Sequence, residues 1–134
     1  MLFRSSPDID DLLTGVQRDL FALGAQLADP GDRLAPRVTK AVLSDADVAR
    51  LEAAIDRFDA EVPPLRRFIL PGGCVAGSTL HVARTVCRRA ERRMVGLAPA
   101  PPAVLIRYVN RLSDLLFALA RAVNHRAGAP EVEW

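Results

Sequence analysis

The sequence is poor in aromatic residues and cysteine, and it contains no long apolar run. Only 5% of its 134 residues are aromatic although half are hydrophobic. Leucine, alanine and valine must therefore form the core, which favours helices over a β-sandwich. Two cysteines are too few for a disulfide framework and indicate a reducing, cytoplasmic setting. No segment is long enough to span a membrane, and residues 1–10 lack the apolar region of a signal peptide.

Lysine is nearly absent, and arginine supplies almost all of the positive charge. Lys40 is the only lysine among 18 basic residues, and the formal net charge is +2. A coding bias explains such a ratio, but the planar guanidinium group is also the better phosphate ligand. Because the net charge is small, any anion site must be local, and nucleic acid is not an expected partner.

Four segments have the periodicity of helices, and the residues between them have the composition of loops. The helices are predicted at residues 8–28, 45–61, 77–96 and 102–126, and Ser44 is predicted to cap the second. Residues 29–43 and 65–74 are predicted loops. Helices of this length with short connections predict antiparallel neighbours. We therefore expect one all-α domain over residues 1–134, an up-and-down helical bundle.

The segment Leu80–Arg93 carries an apolar stripe and a separate row of arginines. The row recurs every four residues on one helix face: Arg84, Arg88 and Arg92. Like charges at this spacing cost a helix about 0.2–0.5 kcal/mol per pair, so the row favours an anion-binding surface. The ordinary alternative is a solvent-exposed face on which Glu91 pairs with Arg88.

Two further features are candidates for a binding site. Asn110 and Asp114 share one face of the fourth helix, where Asp114 is suited to hold an arginine of the third helix. The alternative is a buried polar network that sets the register of the bundle. The loop at 68–73, FILPGG, is either tucked onto the core or forms an apolar wall over a pocket. No metal-binding, triad or Walker motif is present, and His81 and His125 are unaccompanied.

Taken together, these segments resemble the PduO-type ATP:cob(I)alamin adenosyltransferases, also called corrinoid adenosyltransferases. The resemblance rests on RFILPGG at 67–73, LHVARTVCRRAER at 80–92, YVNRLSDLLFALAR at 108–121 and QRDLFALGAQLADP at 17–30. It implies a helical bundle, with five helices in the family and four here, and a homotrimer with active sites between subunits. It also implies transfer of the 5′-deoxyadenosyl group of ATP, accompanied by Mg²⁺, to cob(I)alamin with release of triphosphate. The product would pass to an adenosylcobalamin-dependent enzyme.

The resemblance also assigns roles by position. The ATP contacts would be Arg88, Arg89, Glu91, Arg92 and Asn110. Phe68 would displace the lower dimethylbenzimidazole ligand of the corrinoid, which leaves cobalt four-coordinate and easier to reduce. Asp114 would support the arginines and the corrinoid pocket, so the catalytic set is Phe68, Arg88 and Asp114. Arg84 would pair with an aspartate of a neighbouring subunit.

One feature of the family is not found in residues 1–134, the N-terminal loop of the type TGxGDxGxT. Thr14 and Gly15 lie in a predicted helix, and Gly31 and Asp32 are in the wrong place to substitute for it. We therefore expect an N-terminally truncated member whose activity is weak or absent as the chain stands. The alternative function is a non-catalytic corrinoid-binding or chaperone homologue that has lost ATP. A third hypothesis, an arginine-rich nucleic-acid module, is disfavoured by the low net charge.

Overall fold

In a computed structural model of the chain, residues 6–28 and 42–134 are described. They form four helices: α1 (Pro7–Ala28), α2 (Asp45–Asp59), α3 (Val75–Val95) and α4 (Ala103–Arg126). These residues contain no strand, only an isolated antiparallel bridge between Ile69 and Glu133. The all-α class predicted from the sequence is confirmed. The loop predicted at 29–43 lies mostly outside the described residues. No described helix has the length and hydropathy needed to cross a membrane.

The helix ends follow local signals, with small corrections to the predictions. At the start of α2, Asp47 Oδ2 accepts a hydrogen bond from the Ser44 backbone N–H at 2.8 Å, one half of a capping box. The α3 helix begins earlier than predicted because Cys74 caps it, its sulfur accepting from the Gly77 N–H at 3.4 Å. Pro102 precedes α4 as its N-cap instead of forming its first turn.

The chain divides into two compact units, Met1–Asp47 and Val48–Trp134. The described part of the first unit comprises α1 and residues 42–47. Ile9, Val16 and Leu23 are buried along α1 at seven-residue intervals, the pattern of an amphipathic helix. The side-chain oxygen of Gln26 accepts from the Leu43 N–H at 2.9 Å. That the whole chain is one domain stays a prediction.

In the second unit, α3 and α4 pack antiparallel over most of their length. The Asn110 side chain bonds to Glu91, Phe117 lies under Arg84, and Asn124 bonds to Cys74 just before α3. Residue numbers therefore increase along one helix in the direction in which they decrease along the other, as the short connection at 96–102 requires. The α4 helix supplies most of the fully buried side chains of this unit: Leu105, Tyr108, Leu115 and Leu119.

The C-terminal end of α2 is tied to the C-terminal end of α4. The Arg126 guanidinium donates to both carboxylate oxygens of Glu61, at 2.9 and 2.7 Å. It also lies 5.6 Å from the ring centroid of Phe58, which is fully buried. The two helices therefore end side by side in this unit, which places the segment after α2 near the last turns of α4.

Truncation of the α4 core should destabilise the protein strongly. The Leu115 side chain is 0% exposed, so Leu115→Ala leaves a cavity and should lower the free energy of unfolding by about 2–5 kcal/mol. The matched control is Leu97→Ala, because the Leu97 side chain is 48% exposed and its loss should cost less than about 0.5 kcal/mol. Urea unfolding followed by circular dichroism measures both, and equal losses would contradict the assignment of α4 to the core.

Candidate functional site

Two arginines of the α3 row, Arg84 and Arg88, line a cavity of about 860 Å³ in the second unit. This volume lies in the usual range for small-molecule sites, about 300–1,000 Å³. The lining combines three arginines with two aspartates and one aromatic ring: Arg84, Arg88, Arg121, Asp59, Asp114 and Phe117. The walls therefore carry three guanidinium groups and two carboxylates, which are groups that can bind a charged ligand.

A polar network joins α3 to α4 at the edge of this cavity. Arg88 Nη1 donates to Glu91 Oε1 at 2.9 Å, and Asn110 Nδ2 donates to Glu91 Oε2 at 2.7 Å. Asn110 Oδ1 in turn accepts from Arg111 Nη2 at 2.8 Å. The surface pair of Arg88 with Glu91, offered above as the ordinary alternative, is present. The same carboxylate also crosses to α4, so it both orients Arg88 and sets the register of the two helices.

The predicted nucleotide residues do not all line one cavity. Arg88 faces the larger cavity, whereas Glu91 and Asn110 line a second cavity of about 410 Å³. Arg89 and Arg92 are exposed. The described part of the chain provides neither of them with a hydrogen bond or ion pair. The Arg88–Glu91 pair therefore stands between the two cavities.

Asp114 lines the larger cavity, but its ion pair differs from the expected one. Its Oδ2 lies 3.2 Å from Arg111 Nη1, on its own helix. The side chain that crosses to α3 is Asn110, through Glu91. The expectation that Asp114 holds an arginine of α3 is therefore corrected, because the neighbouring turn of α4 already supplies it with a cation. Its support of the corrinoid pocket stays a prediction.

Arg84, Phe117 and His81 form a partly buried cluster beside the cavity. The Arg84 guanidinium lies 5.7 Å from the Phe117 ring centroid, and the His81 ring meets the same ring edge-on at 5.9 Å. Within the described residues, Arg84 Nε and both ring nitrogens of His81 are buried without a hydrogen-bond partner. Burial, and secondly the positive charge of Arg84, lower the pKa of His81 below 6.5, against an opposing effect of Glu131. His81 is therefore a neutral, packed side chain.

The loop that carries Phe68 is not tucked onto the core. The Phe68 side chain is 78% exposed and that of Leu70 is 47% exposed. Phe68 lines a third cavity of about 440 Å³ with Arg66, Arg67 and Trp134. Leu65 lines both this cavity and the larger one. Phe68 is thus adjacent to the arginine cavity through Leu65 but is not part of its wall.

Two buried polar residues of α4 were not singled out as functional from the sequence. Arg121 is 6% exposed, and its Nε and Nη2 donate to the two carboxylate oxygens of Glu131 at 3.0 and 2.8 Å. Asn124 is also 6% exposed and bonds to the backbone at Gly72 and Cys74. Nothing in the sequence pattern pointed to Asn124 as a partner of this turn.

The described residues provide no obvious nucleophile or metal cage. Within residues 6–28 and 42–134, no group of three histidine, cysteine or acidic side chains is placed to hold a metal ion. Burial, and secondly the charge of Glu91, raise the pKa of the Cys87 thiol to about 11. Its sulfur donates to the Val109 carbonyl at 3.3 Å. Cys87 is therefore a protonated core residue at neutral pH.

The burial of His81 gives a pH dependence with a defined sign. Because its pKa is lowered on folding, the unfolded chain binds the proton more tightly. The folded state therefore loses stability as the pH falls below 6.5. His81→Leu removes the unpaired nitrogens. Its free energy of unfolding at pH 7.5 should stay within about 1 kcal/mol of the wild type, or exceed it.

Urea unfolding at pH 7.5 and 5.5 measures this effect. The wild type should lose more stability between the two pH values than His81→Leu does. His125→Leu is the control, since His125 is exposed on α4. Identical pH dependence in the wild type and His81→Leu would show that His81 does not titrate as its burial requires.

Comparisons with known proteins agree with the features above. A family model described as cobalamin adenosyltransferase matches residues 1–123. The corrinoid adenosyltransferase PduO of Citrobacter freundii is 49% identical over 124 residues, which are 91% of this chain and 36% of that protein. The corrinoid adenosyltransferase of Bacillus subtilis is 44% identical over 133 residues, which are 96% of this chain and 66% of that protein.

Solved structures show the same likeness in three dimensions. One is a phenylalanine-to-alanine variant of a PduO-type ATP:corrinoid adenosyltransferase from Lactobacillus reuteri, complexed with cobalamin and ATP. It has a TM-score of 0.86 at 35% identity, over 99% of this chain and 74% of that chain. An arginine-to-lysine variant, complexed with ATP, has a TM-score of 0.81 at 36% identity, over 92% of this chain and 69% of that chain. The chain thus spans 36% of the PduO protein and 66% of the Bacillus protein.

Proposed function

Because this chain belongs to the cobalamin adenosyltransferase family, we propose that it transfers the 5′-deoxyadenosyl group of ATP to cob(I)alamin. The observation that carries the proposal is the network of Arg88, Glu91 and Asn110. This network bridges α3 and α4, and its Arg88 lines a cavity large enough for a small molecule. The relatives are named corrinoid adenosyltransferases, and the similar Lactobacillus reuteri variant structure is complexed with cobalamin and ATP.

The reaction asks the protein for positioning and charge stabilisation. The electron pair of cobalt(I) attacks the ribose C5′ of ATP and forms a cobalt–carbon bond. As this bond forms, the C5′–O bond breaks, and triphosphate leaves with the bonding electrons. Negative charge grows on the leaving triphosphate, and arginines held in a fixed orientation stabilise that charge. No protein nucleophile or general base is needed, in agreement with the unreactive environment of Cys87.

We assign the triphosphate to the arginine side of the network. Arg88 is restrained by Glu91 and still about half exposed, so it is oriented and accessible at once. Arg89 and Arg92 extend the basic surface along α3, and Asn110 contributes a nucleotide contact on the far side of Glu91. Glu91 therefore acts by fixing two partners, Arg88 and Asn110, between the two cavities.

The corrinoid is assigned to the side of the loop that carries Phe68. An aromatic ring 78% exposed on a loop presents apolar area to a partner. Phe68 would take the place of the lower axial ligand, and Leu65 connects its cavity with that of the arginines. Mg²⁺ would arrive with the triphosphate, because the described residues offer it no ligand cluster.

We further propose a homotrimer in which Arg84 meets an acidic residue of a neighbouring subunit. Arg84 is partly buried, and the described residues leave its buried Nε without a hydrogen-bond partner, so this N–H is available to a carboxylate of another subunit. The outer face of α3 exposes an apolar stripe suited to a subunit contact: Val75, Val82 and Val86. A reducing cytoplasm fits the two free cysteines. An adenosylcobalamin-dependent enzyme would receive the product.

Arg88→Met should weaken ATP binding and transfer without unfolding the protein. Loss of a charge-assisted contact to triphosphate should lower kcat/KM for ATP by about 10- to 100-fold. Arg93→Met is the matched control, since Arg93 is exposed on the same helix and outside the proposed site. Isothermal titration with ATP measures binding. Formation of photolabile adenosylcobalamin from anaerobically reduced cobalamin measures transfer.

The test uses the full-length protein as its gene encodes it. If that protein neither binds ATP nor forms adenosylcobalamin, the proposed function is wrong. Spectral shifts of cob(II)alamin without ATP binding would instead identify a corrinoid-binding homologue. Equal losses in Arg88→Met and Arg93→Met would remove Arg88 from the proposed site.

A further inference from the structure

The loop that carries Phe68 is held at three places by α4 and the segment that follows α4. We call residues Pro63–Cys74 the aromatic loop and residues Glu131–Trp134 the tail. At the start of the loop, Arg121 Nη2 donates to the Pro63 carbonyl at 2.8 Å. In the middle of the aromatic loop, backbone hydrogen bonds join the loop to the tail. At the end of the loop, the Asn124 side chain bonds to the turn.

One of the two backbone contacts in the middle of the loop is made by Phe68 itself. The Phe68 carbonyl accepts from the Trp134 N–H at 2.9 Å, and the Leu70 N–H donates to the Val132 carbonyl at 2.8 Å. These two bonds flank the antiparallel bridge between Ile69 and Glu133. The Phe68 carbonyl is therefore paired while the ring is exposed, which restrains the backbone at Phe68 without covering the side chain.

The tail is anchored by an ion pair between the buried Arg121 and the partly exposed Glu131. The Arg121 side chain is 7% exposed and its guanidinium holds both carboxylate oxygens of Glu131. Paired, charge-assisted hydrogen bonds of this kind define geometry as well as energy. The same guanidinium bonds to Pro63, so one residue of α4 locates both the start of the aromatic loop and the start of the tail.

The side-chain amide of Asn124 both donates to and accepts from the backbone at the end of the loop. Its Nδ2 donates to the Gly72 carbonyl at 2.8 Å, and its Oδ1 accepts from the Cys74 N–H at 3.0 Å. A Cβ at Gly73 or Gly77 would overlap the Asn124 side chain, and Gly73 also has φ of +111°. The two glycines are therefore required by the close approach of Asn124.

We propose that Arg121 and Asn124, with Glu131, are positioning residues that hold Phe68 in the orientation needed to meet the corrinoid. Arg121 and Asn124 lie one turn apart on α4 and bind opposite ends of the aromatic loop, with the tail between them. The inference rests on the proposed function, in which Phe68 contacts the corrinoid. A ring held in advance loses less conformational freedom on binding than a ring on a free loop.

The inference is tested with Asn124→Ala and Glu131→Gln in the full-length protein. Each variant should lower kcat for adenosyl transfer by about 10- to 100-fold, the usual effect of misplaced binding groups. The KM for ATP should stay within about twofold, because the nucleotide contacts are elsewhere. In the electron paramagnetic resonance spectrum of cob(II)alamin bound with ATP, the fraction retaining its lower nitrogen ligand should rise. His125→Ala, an exposed neighbour on α4, is the control and should change none of these.

A double-mutant cycle separates positioning from general damage. If Asn124 acts through Phe68, Asn124→Ala should cause no further loss in a Phe68→Ala background. Fully additive losses would overturn the inference, and so would a wild-type kcat in both single variants. If Asn124→Ala does not fold, Glu131→Gln carries the same cycle, because it keeps the shape of the side chain and weakens only the ion pair.

Amide hydrogen exchange gives a readout that needs no activity. The Leu70 and Trp134 N–H groups bond to neither Asn124 nor Glu131. Their exchange should nevertheless accelerate in both variants if the contacts act together. Unchanged exchange would overturn the inference whatever the activity. If the wild-type protein shows no adenosyl transfer and no ATP binding, the proposed function fails by itself, and exchange alone then decides whether α4 holds the loop.

Discussion

Antiparallel packing of α3 against α4 is the constraint on which the second unit depends. The register places Glu91 opposite Asn110, Arg84 opposite Phe117, and the start of α3 opposite Asn124. A slip of one helical turn would move all three pairings together. The carboxylate of Glu91 would then lose one of its two partners, and a half-satisfied polar group between packed helices is costly. The same contacts that set the register therefore also shape the site.

The polar side chains of α4 differ in burial between its two halves. Near its N-terminal half, Asn110 and Asp114 lie at the edges of cavities, where their polar groups remain accessible. Near its C-terminal half, Arg121 and Asn124 are buried and fully engaged with backbone and carboxylate oxygens. One helix thus supplies accessible groups to the proposed ligand site and buried groups to the loop beside it. This division explains how an exposed ring at Phe68 coexists with a loop whose backbone is hydrogen-bonded at its start, middle and end.

Sequence reasoning recovered the helices because their apolar spacing and their terminating residues are local signals. It also found the arginine row and the Asn110–Asp114 face, since helical periodicity determines which side chains share a face. It did not predict the partner of Asp114, which is Arg111 on the same helix. It also did not predict the contacts of Arg121 with Glu131 and Pro63. The Glu131 partner of Arg121 comes after the Gly128 turn, and no periodic pattern continues through a turn. His81 is unaccompanied in the sequence, and its burial beside Arg84 became visible only in the packed structure.

The amino-acid sequence by itself determined the all-α class, the helix faces and the family resemblance, because each depends on residue type and short-range spacing. Tertiary structure alone decided which faces meet. It placed Arg88 on one cavity and Asn110 on another, and it joined them through Glu91. It also closed the aromatic loop between Arg121 and Asn124, across separations of more than fifty residues. Those contacts depend on the register of packed helices and on the path of the chain after α4, which local propensity does not encode.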